Sequence, residues 1–183
     1  SRCSAGMMAR FRTDSPEIHV RYKLTRDKLG FPHMPATGVS GVDLYARNDS
    51  GEWRFVNGKS PYPRNVDDAS PASLNVEGVV AAGLLAGSRE YALNFPLYNG
   101  VKSMEIGVAA GAEFEGLVPR EKPIVFYGTS ITQGGVASRP GICHTALLGR
   151  RLDRPVLNLG FSGIGRMNPV VVRYLAEVDA AVF

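Results

Sequence analysis

The 183 residues are 44% hydrophobic and 21% charged, with a formal net charge of +4, a composition that excludes a disordered chain and allows a substantial core or two small domains. The basic residues are scattered. The densest group, Arg150, Arg151 and Arg154, falls at the end of a predicted helix, where the helix dipole accounts for it, and no aromatic residues interleave with it, so no nucleic-acid partner is expected. Cys3 and Cys143 suggest neither a disulfide framework nor a metal cluster. Residues 1–8 lack the apolar run of a secretory signal, and no segment approaches the roughly 20 apolar residues of a membrane span, so no membrane association is expected and the compartment stays open.

From Gly6 to Gly116 the chain reads as short runs rich in Val, Ile, Tyr and Phe, separated by Gly, Pro, Asn, Asp and Ser clusters, with little helical periodicity. This pattern predicts an antiparallel β-sandwich. Residues 9–13 and 18–24 alternate apolar and polar, and Asp14-Ser15-Pro16-Glu17 has the chemistry of a hairpin turn. A second hairpin is expected from residues 41–47 and 52–56 around Asn48-Asp49-Ser50-Gly51. Residues 89–95 and 101–108 form a third expected pair, joined through Pro96-Leu97-Tyr98-Asn99-Gly100. Residues 57–73, with three prolines, read as a long surface loop, and residues 111–122 as the passage between domains. The expected division is a β-sandwich over 1–116, a linker over 117–122 and a second domain over 123–183.

The second domain opens on Pro123-Ile124-Val125-Phe126-Tyr127-Gly128-Thr129-Ser130-Ile131-Thr132-Gln133-Gly134-Gly135. Four apolar residues predict a buried parallel strand over 123–127, ended by Gly128. Thr129, Ser130 and Thr132 then place hydroxyls at the carboxyl end of that strand, where open α/β sheets hold ligands. A helix near 140–151, a strand over 155–160, a helix near 168–176 and a last strand from about 180 complete the prediction. The spacing does not suit a nucleotide-binding loop. The stretch lacks the GK[ST] ending of a P-loop, and Gly160-Phe161-Ser162-Gly163-Ile164-Gly165 reverses the order of the dinucleotide fingerprint.

Gly128-Thr129-Ser130-Ile131-Thr132-Gln133-Gly134 resembles the nucleophile block of the SGNH (GDSL-type) hydrolases, with Thr129 in place of the family's aspartate. Val156-Leu157-Asn158-Leu159-Gly160-Phe161-Ser162-Gly163 resembles the next strand and the glycine turn of that family. Gly41-Val42-Asp43-Leu44-Tyr45, preceded by His33-Met34-Pro35, resembles the signature of the GxDLY-type β-rich domain that precedes some of its members. The resemblance implies the start of a three-layer α/β (flavodoxin-like) domain with a parallel sheet, and a serine esterase acting on small acyl groups, most plausibly acetyl carried by a sugar. Residue by residue it implies Ser130 as nucleophile and the backbone N–H groups of Ser130 and Gly163 as oxyanion donors. Gly128, Thr129, Ile164 and His33 are the residues expected to border substrate. Ile164 stands where a small polar residue is expected, and would narrow or dry the pocket.

Ester cleavage needs a nucleophile, a proton acceptor and oxyanion donors. The family's catalytic histidine and aspartate come from a segment near the end of a longer domain, and its asparagine donor follows the next strand. The chain ends at Phe183 with no counterpart of these, so it is expected to be a segment of a longer esterase, nearly inactive alone, and prone to associate through an exposed sheet edge. His144 is expected to be structural and His19 to sit exposed in a strand, whereas His33 reaches Ser130 only if the domains fold together. No metal or organic cofactor is expected, because serine acyl transfer takes its electrophilic help from N–H donors. The rival reading is a non-catalytic carbohydrate-binding or interaction protein in which the β domain does the work.

Overall fold

The alternating segments of the first half become strands, but they pair across two sheets. In a computed structural model describing residues 2–62, 74–118 and 121–183, β1 (Met8–Thr13), β3 (Val42–Arg47), β4 (Trp53–Lys59), β6 (Arg89–Asn94) and β8 (Phe114–Leu117) form a five-stranded antiparallel sheet in the order β4-β3-β6-β1-β8. Strands β2 (Glu17–Leu24), β5 (Asn75–Ala82) and β7 (Val101–Val108) form a second antiparallel sheet in the order β5-β2-β7. Phe11, Leu44, Tyr91 and Leu93 of the first sheet and Ile18, Val20, Tyr22, Leu24 and Val80 of the second belong to one buried cluster.

That shared core explains two corrections. Residues 14–17 do not close a hairpin: β1 pairs with β6 and β8, and β2 with β5 and β7. Alternation reports which face of a strand is buried and not which strand lies beside it, so two strands facing one core from opposite sheets read like a hairpin. The corner is held by Ser15, buried, whose hydroxyl donates to the Glu17 carbonyl and accepts from Ala109 N–H. Likewise β6 and β7 lie in different sheets. Their connection is no surface turn, since Pro96 to Gly100 are all buried and the N–H groups of Leu97, Tyr98 and Asn99 donate to the carbonyls of Gly38 and Val39.

The β3–β4 hairpin forms as expected, with Gly51 at φ +82°. The expected loop over 57–73 begins later, because β4 runs to Lys59, and residues 63–73 lie outside the described residues. Strands β5 and β8 were not anticipated, nor was the short helix α1 (Ala36–Val39). β8 occupies part of the expected passage between domains.

In the second half, β9 (Ile124–Gly128) pairs in parallel with β10 (Val156–Gly160). Between them come the one-turn helix α2 (Ser130–Gln133), a 3₁₀ turn (Pro140–Ile142) and α3 (His144–Leu152), and α4 (Pro169–Ala176) follows β10. The helix expected over 140–151 thus starts four residues later, after the 3₁₀ turn. α4 begins on a Pro at its first turn and an Asn168 cap whose Oδ1 accepts from Val170 N–H at 2.9 Å, the usual start signals. The strand expected from about 180 is a single bridge, Val182 beside Ile124.

Candidate active site

Ser130 is the first residue of α2, directly after β9 and Thr129, so it sits at the carboxyl end of a parallel strand. The turn is tight because Gly134 caps α2 in the left-handed conformation, φ 100°, where a side chain would be strained. Ser130 is half-buried and Thr129 exposed. As the opening donor of a helix, Ser130 N–H has no intrahelical partner, and neither it nor Gly163 N–H has an acceptor among the described residues. Gly163, at φ +80°, is exposed in the turn after β10. The two turns are laced together, since the Gly128 carbonyl accepts from Phe161 N–H at 2.8 Å and Tyr127 meets Phe161 edge-on with ring centroids 6.0 Å apart.

Residues of the first half complete this arrangement. The Tyr98 hydroxyl donates to the Ser130 carbonyl at 3.1 Å, which also accepts from Gly135 N–H at 2.8 Å. Burial pushes the Tyr98 phenol up, an effect that the polar Ser162 side chain nearby opposes. Gln133, 1% exposed, donates through Nε2 to the Leu97 carbonyl at 2.9 Å and accepts from Ser162 N–H through Oε1 at 3.0 Å. Asn158 does the same within the second half, donating to the Thr132 carbonyl and the Thr145 hydroxyl and accepting from Gly160 N–H. Such groups are stable in a dry site only because each is satisfied.

A cleft of about 420 Å³ lies between the halves, lined by Arg26, Phe31, His33 and Tyr98 on one side and by Phe161 and Ile164, among others, on the other. His33 and Ile164, both exposed, therefore share one cleft. Ser130, Thr129, Gly128 and Gly163 are not in its lining but adjoin it through Gln133 and Ser162, which are. His144 is exposed, and its ring meets Phe126 edge-on at 5.9 Å. His19 is half-exposed on β2, with Nε2 3.2 Å from Glu17 Oε1. None of the three histidines is hydrogen-bonded to the Ser130 hydroxyl among the described residues. No group of three or more metal-ligating side chains occurs among the described residues, and no described helix is long and apolar enough to cross a membrane.

The aspartate of the Gly41-Val42-Asp43-Leu44-Tyr45 block joins the halves. Asp43, 0% exposed, accepts from Asn94 Nδ2 at 3.0 Å and from Gly141 N–H at 2.8 Å, and lies 3.4 Å from Arg139 Nε. Burial pushes its carboxyl up, opposed first by the Gly141 N–H and then by Asn94 and Arg139. Tyr45 stacks beneath the Arg150 guanidinium at 3.8 Å. Sequence reasoning assigned no role to Asp43, Tyr98, Gln133 or Asn158. The signals for the first three were present: an acid inside an apolar block, two apolar residues in a five-residue connection, and a glutamine inside the serine block.

A β-rich half clamped onto a serine-bearing strand and turn has the layout of a lipase-like acylhydrolase, and comparison with known proteins agrees. Residues 1–114 match the family described as the N-terminus of SGNH hydrolase-type esterases (GxDLY), and residues 121–183 match the GDSL-like lipase/acylhydrolase family. The chain belongs to the SGNH (GDSL-type) esterases that carry a GxDLY N-terminal domain. Among solved structures it is similar to a protein assigned as a GDSL-like lipase from Bacteroides ovatus, at 35% identity and a TM-score of 0.86, over 98% of this chain and 50% of that one. The salicylyl-acyltransferase SsfX3 of a tetracycline biosynthetic pathway (22%, TM-score 0.73, 98% and 47% covered) and a family two carbohydrate esterase of Clostridium thermocellum in complex with cellohexaose (17%, TM-score 0.59, 94% and 52% covered) share the fold. The chain thus spans about half the length of these relatives. No curated protein matches it.

Proposed function

We propose that the chain supplies the nucleophile and two oxyanion donors of a serine esterase that removes small acyl groups, most plausibly acetyl, from a carbohydrate. The observation that carries this reading is Ser130 at the head of α2 with its own N–H, like that of Gly163, unengaged among the described residues. In this reading the Ser130 hydroxyl attacks the ester carbonyl, and the two N–H groups receive the charge that develops on its oxygen. Gly128, Thr129, Ile164 and His33 border the substrate, and the cleft between the halves takes the part of it beyond the ester. The chain divides into a β domain over 1–116, a linker over 117–122 and the opening of a hydrolase domain over 123–183. The acyl and sugar parts of the proposal rest on the family and on what its relatives are named for.

No histidine is hydrogen-bonded to the Ser130 hydroxyl among the described residues, so the 183 residues alone are expected to be slow. Serine proteases stripped of triad members keep a residual of roughly 10³ to 10⁴ over water. The test is hydrolysis of a chromogenic acetyl ester by this chain, before and after Ser130→Ala, beside glycan binding by the same sample. Slow hydrolysis that disappears in Ser130→Ala with the fold intact supports the proposal, and hydrolysis unchanged by the substitution excludes this nucleophile. Turnover at the rate of a complete esterase makes His33 the first candidate for the base. Glycan binding without any Ser130 reactivity favours a non-catalytic binding protein, a reading to which the ring-lined cleft also lends itself.

A further inference from the structure

The oxyanion donors of the proposed reaction sit on two separate turns, one after β9 and one after β10, and something must fix their spacing. The first turn closes on Gly134 and Gly135 after α2, and Ser162 to Ile164 of the second are exposed. One segment of the β domain reaches both. The Leu97 carbonyl accepts from Gln133 Nε2 at 2.9 Å, whose Oε1 accepts from Ser162 N–H at 3.0 Å, next to Gly163, and the Tyr98 hydroxyl donates to the Ser130 carbonyl at 3.1 Å. The ring that carries it belongs to the other half of the molecule and is itself fixed. It is 8% exposed, lies in a buried cluster with Val39, Leu97 and Cys143, and meets Phe31 edge-on with centroids 6.4 Å apart. Its backbone N–H donates to the Val39 carbonyl at 3.1 Å.

We propose that Tyr98 is a positioning residue for catalysis: its hydroxyl fixes the Ser130 turn against the Gly163 turn that the Leu97–Gln133 contact holds, so that the β domain builds the oxyanion hole without touching the ester. The inference rests on the reading of Ser130 as nucleophile. Its reach is testable on these 183 residues, because without a base the reactivity that remains comes from the donors and from binding. Displacing one oxyanion donor costs roughly 10² to 10³ in rate, so a loosened pair costs at least about tenfold.

The experiment is covalent labelling of the chain by a fluorophosphonate, followed by intact mass, with the rate constant at saturating probe and the final labelled fraction recorded separately. Ser130→Ala is the control for the nucleophile, and Tyr98→Phe keeps the packed ring while removing only the hydroxyl. The expected result is a labelling rate constant lowered at least about tenfold in Tyr98→Phe, with half-saturating probe concentration and final labelled fraction unchanged. A purely structural role would lower the labelled fraction and leave the rate constant alone, and that outcome overturns the inference while sparing the nucleophile, as does an unchanged rate constant. Labelling that persists in Ser130→Ala, or no labelling of the parent chain, overturns the reading of Ser130 and this inference with it.

Discussion

The two halves of the chain bury different kinds of side chain. In the first, the fully buried residues are mainly aliphatic and aromatic, among them Phe11, Ile18, Tyr22, Leu44 and Leu93, drawn from both sheets. In the second, Gln133, Thr145 and Asn158 are as deeply set as Ile124, Val125 and Val156, and α4 buries none of its residues. Apolar burial is non-directional and tolerates small movements. A polar network does not, because each member must keep its geometry or leave a neighbour unsatisfied. The first half is thus a platform with its own core, whereas the turns around Ser130 take their shape from directional contacts, several of them made by the platform.

The largest expected effect tests the platform. Leu44→Ala, at a fully buried site, should cost about 2–5 kcal/mol in denaturant unfolding, and the exposed Leu147→Ala on α3 less than about 0.5 kcal/mol; equal costs would end the contrast. Next comes the seam. A Cβ at Gly38 would collide with the Ala137 carbonyl oxygen of the loop after α2, so Gly38→Ala should cost about 1–3 kcal/mol by overpacking. Its effect should appear as early loosening of the second half, read from the fluorescence of the single tryptophan, Trp53, which lines a cleft with Leu147 and Arg150. Loss of both halves in one unshifted transition would show that they are not separable.

The smallest effect concerns pH. Asp153 at the end of α3 is held below the usual carboxylate range, first by its hydrogen bond to Arg47 of β3. Because its folded value lies below the unfolded one, near 3.9, its contribution is present above that value and is lost as pH falls through the folded value. Asp153→Asn should therefore lower stability at neutral pH and flatten the acid side of the profile by the same amount, a small one, since the side chain is half-exposed and screened. A steeper acid limb in the variant would reverse the assignment.

How much of this was legible depended on the range of the interactions. Strand positions were readable because Phe11, Ile18, Val20 and Tyr22 announce a buried face every second residue. Strand partners were not, since nothing near Thr13 or Glu17 encodes pairing with strands as distant as those that hold Ala82, Arg89 and Phe114. Ser130 was legible as a strand-end hydroxyl among glycines, and the family resemblance added the role. Tyr98 was hidden because a five-residue connection with Pro, Asn and Gly reads as a turn, although Leu97 and Tyr98 are poor residues for a solvated one. Asp43 was readable only as part of a signature, because its partners, Arg139 and Gly141, lie almost a hundred residues on.

The sheet order also has a consequence in time. Among the described residues β1 finds its neighbours only in β6 and β8, and β2 only in β5 and β7. During synthesis the first strand must therefore wait, unpaired, until residue 94 has emerged, its other edge stays open until residue 117, and the loop at 96–100 receives the serine turn later still. Non-local pairing of this kind folds in roughly milliseconds to seconds, and a vectorially made chain should show it as a late step. Pulse-labelled amide exchange during refolding, with β1 protected no earlier than β6 and before the turn after β9, is the order this topology demands; early protection of β1 with β2 would refute it.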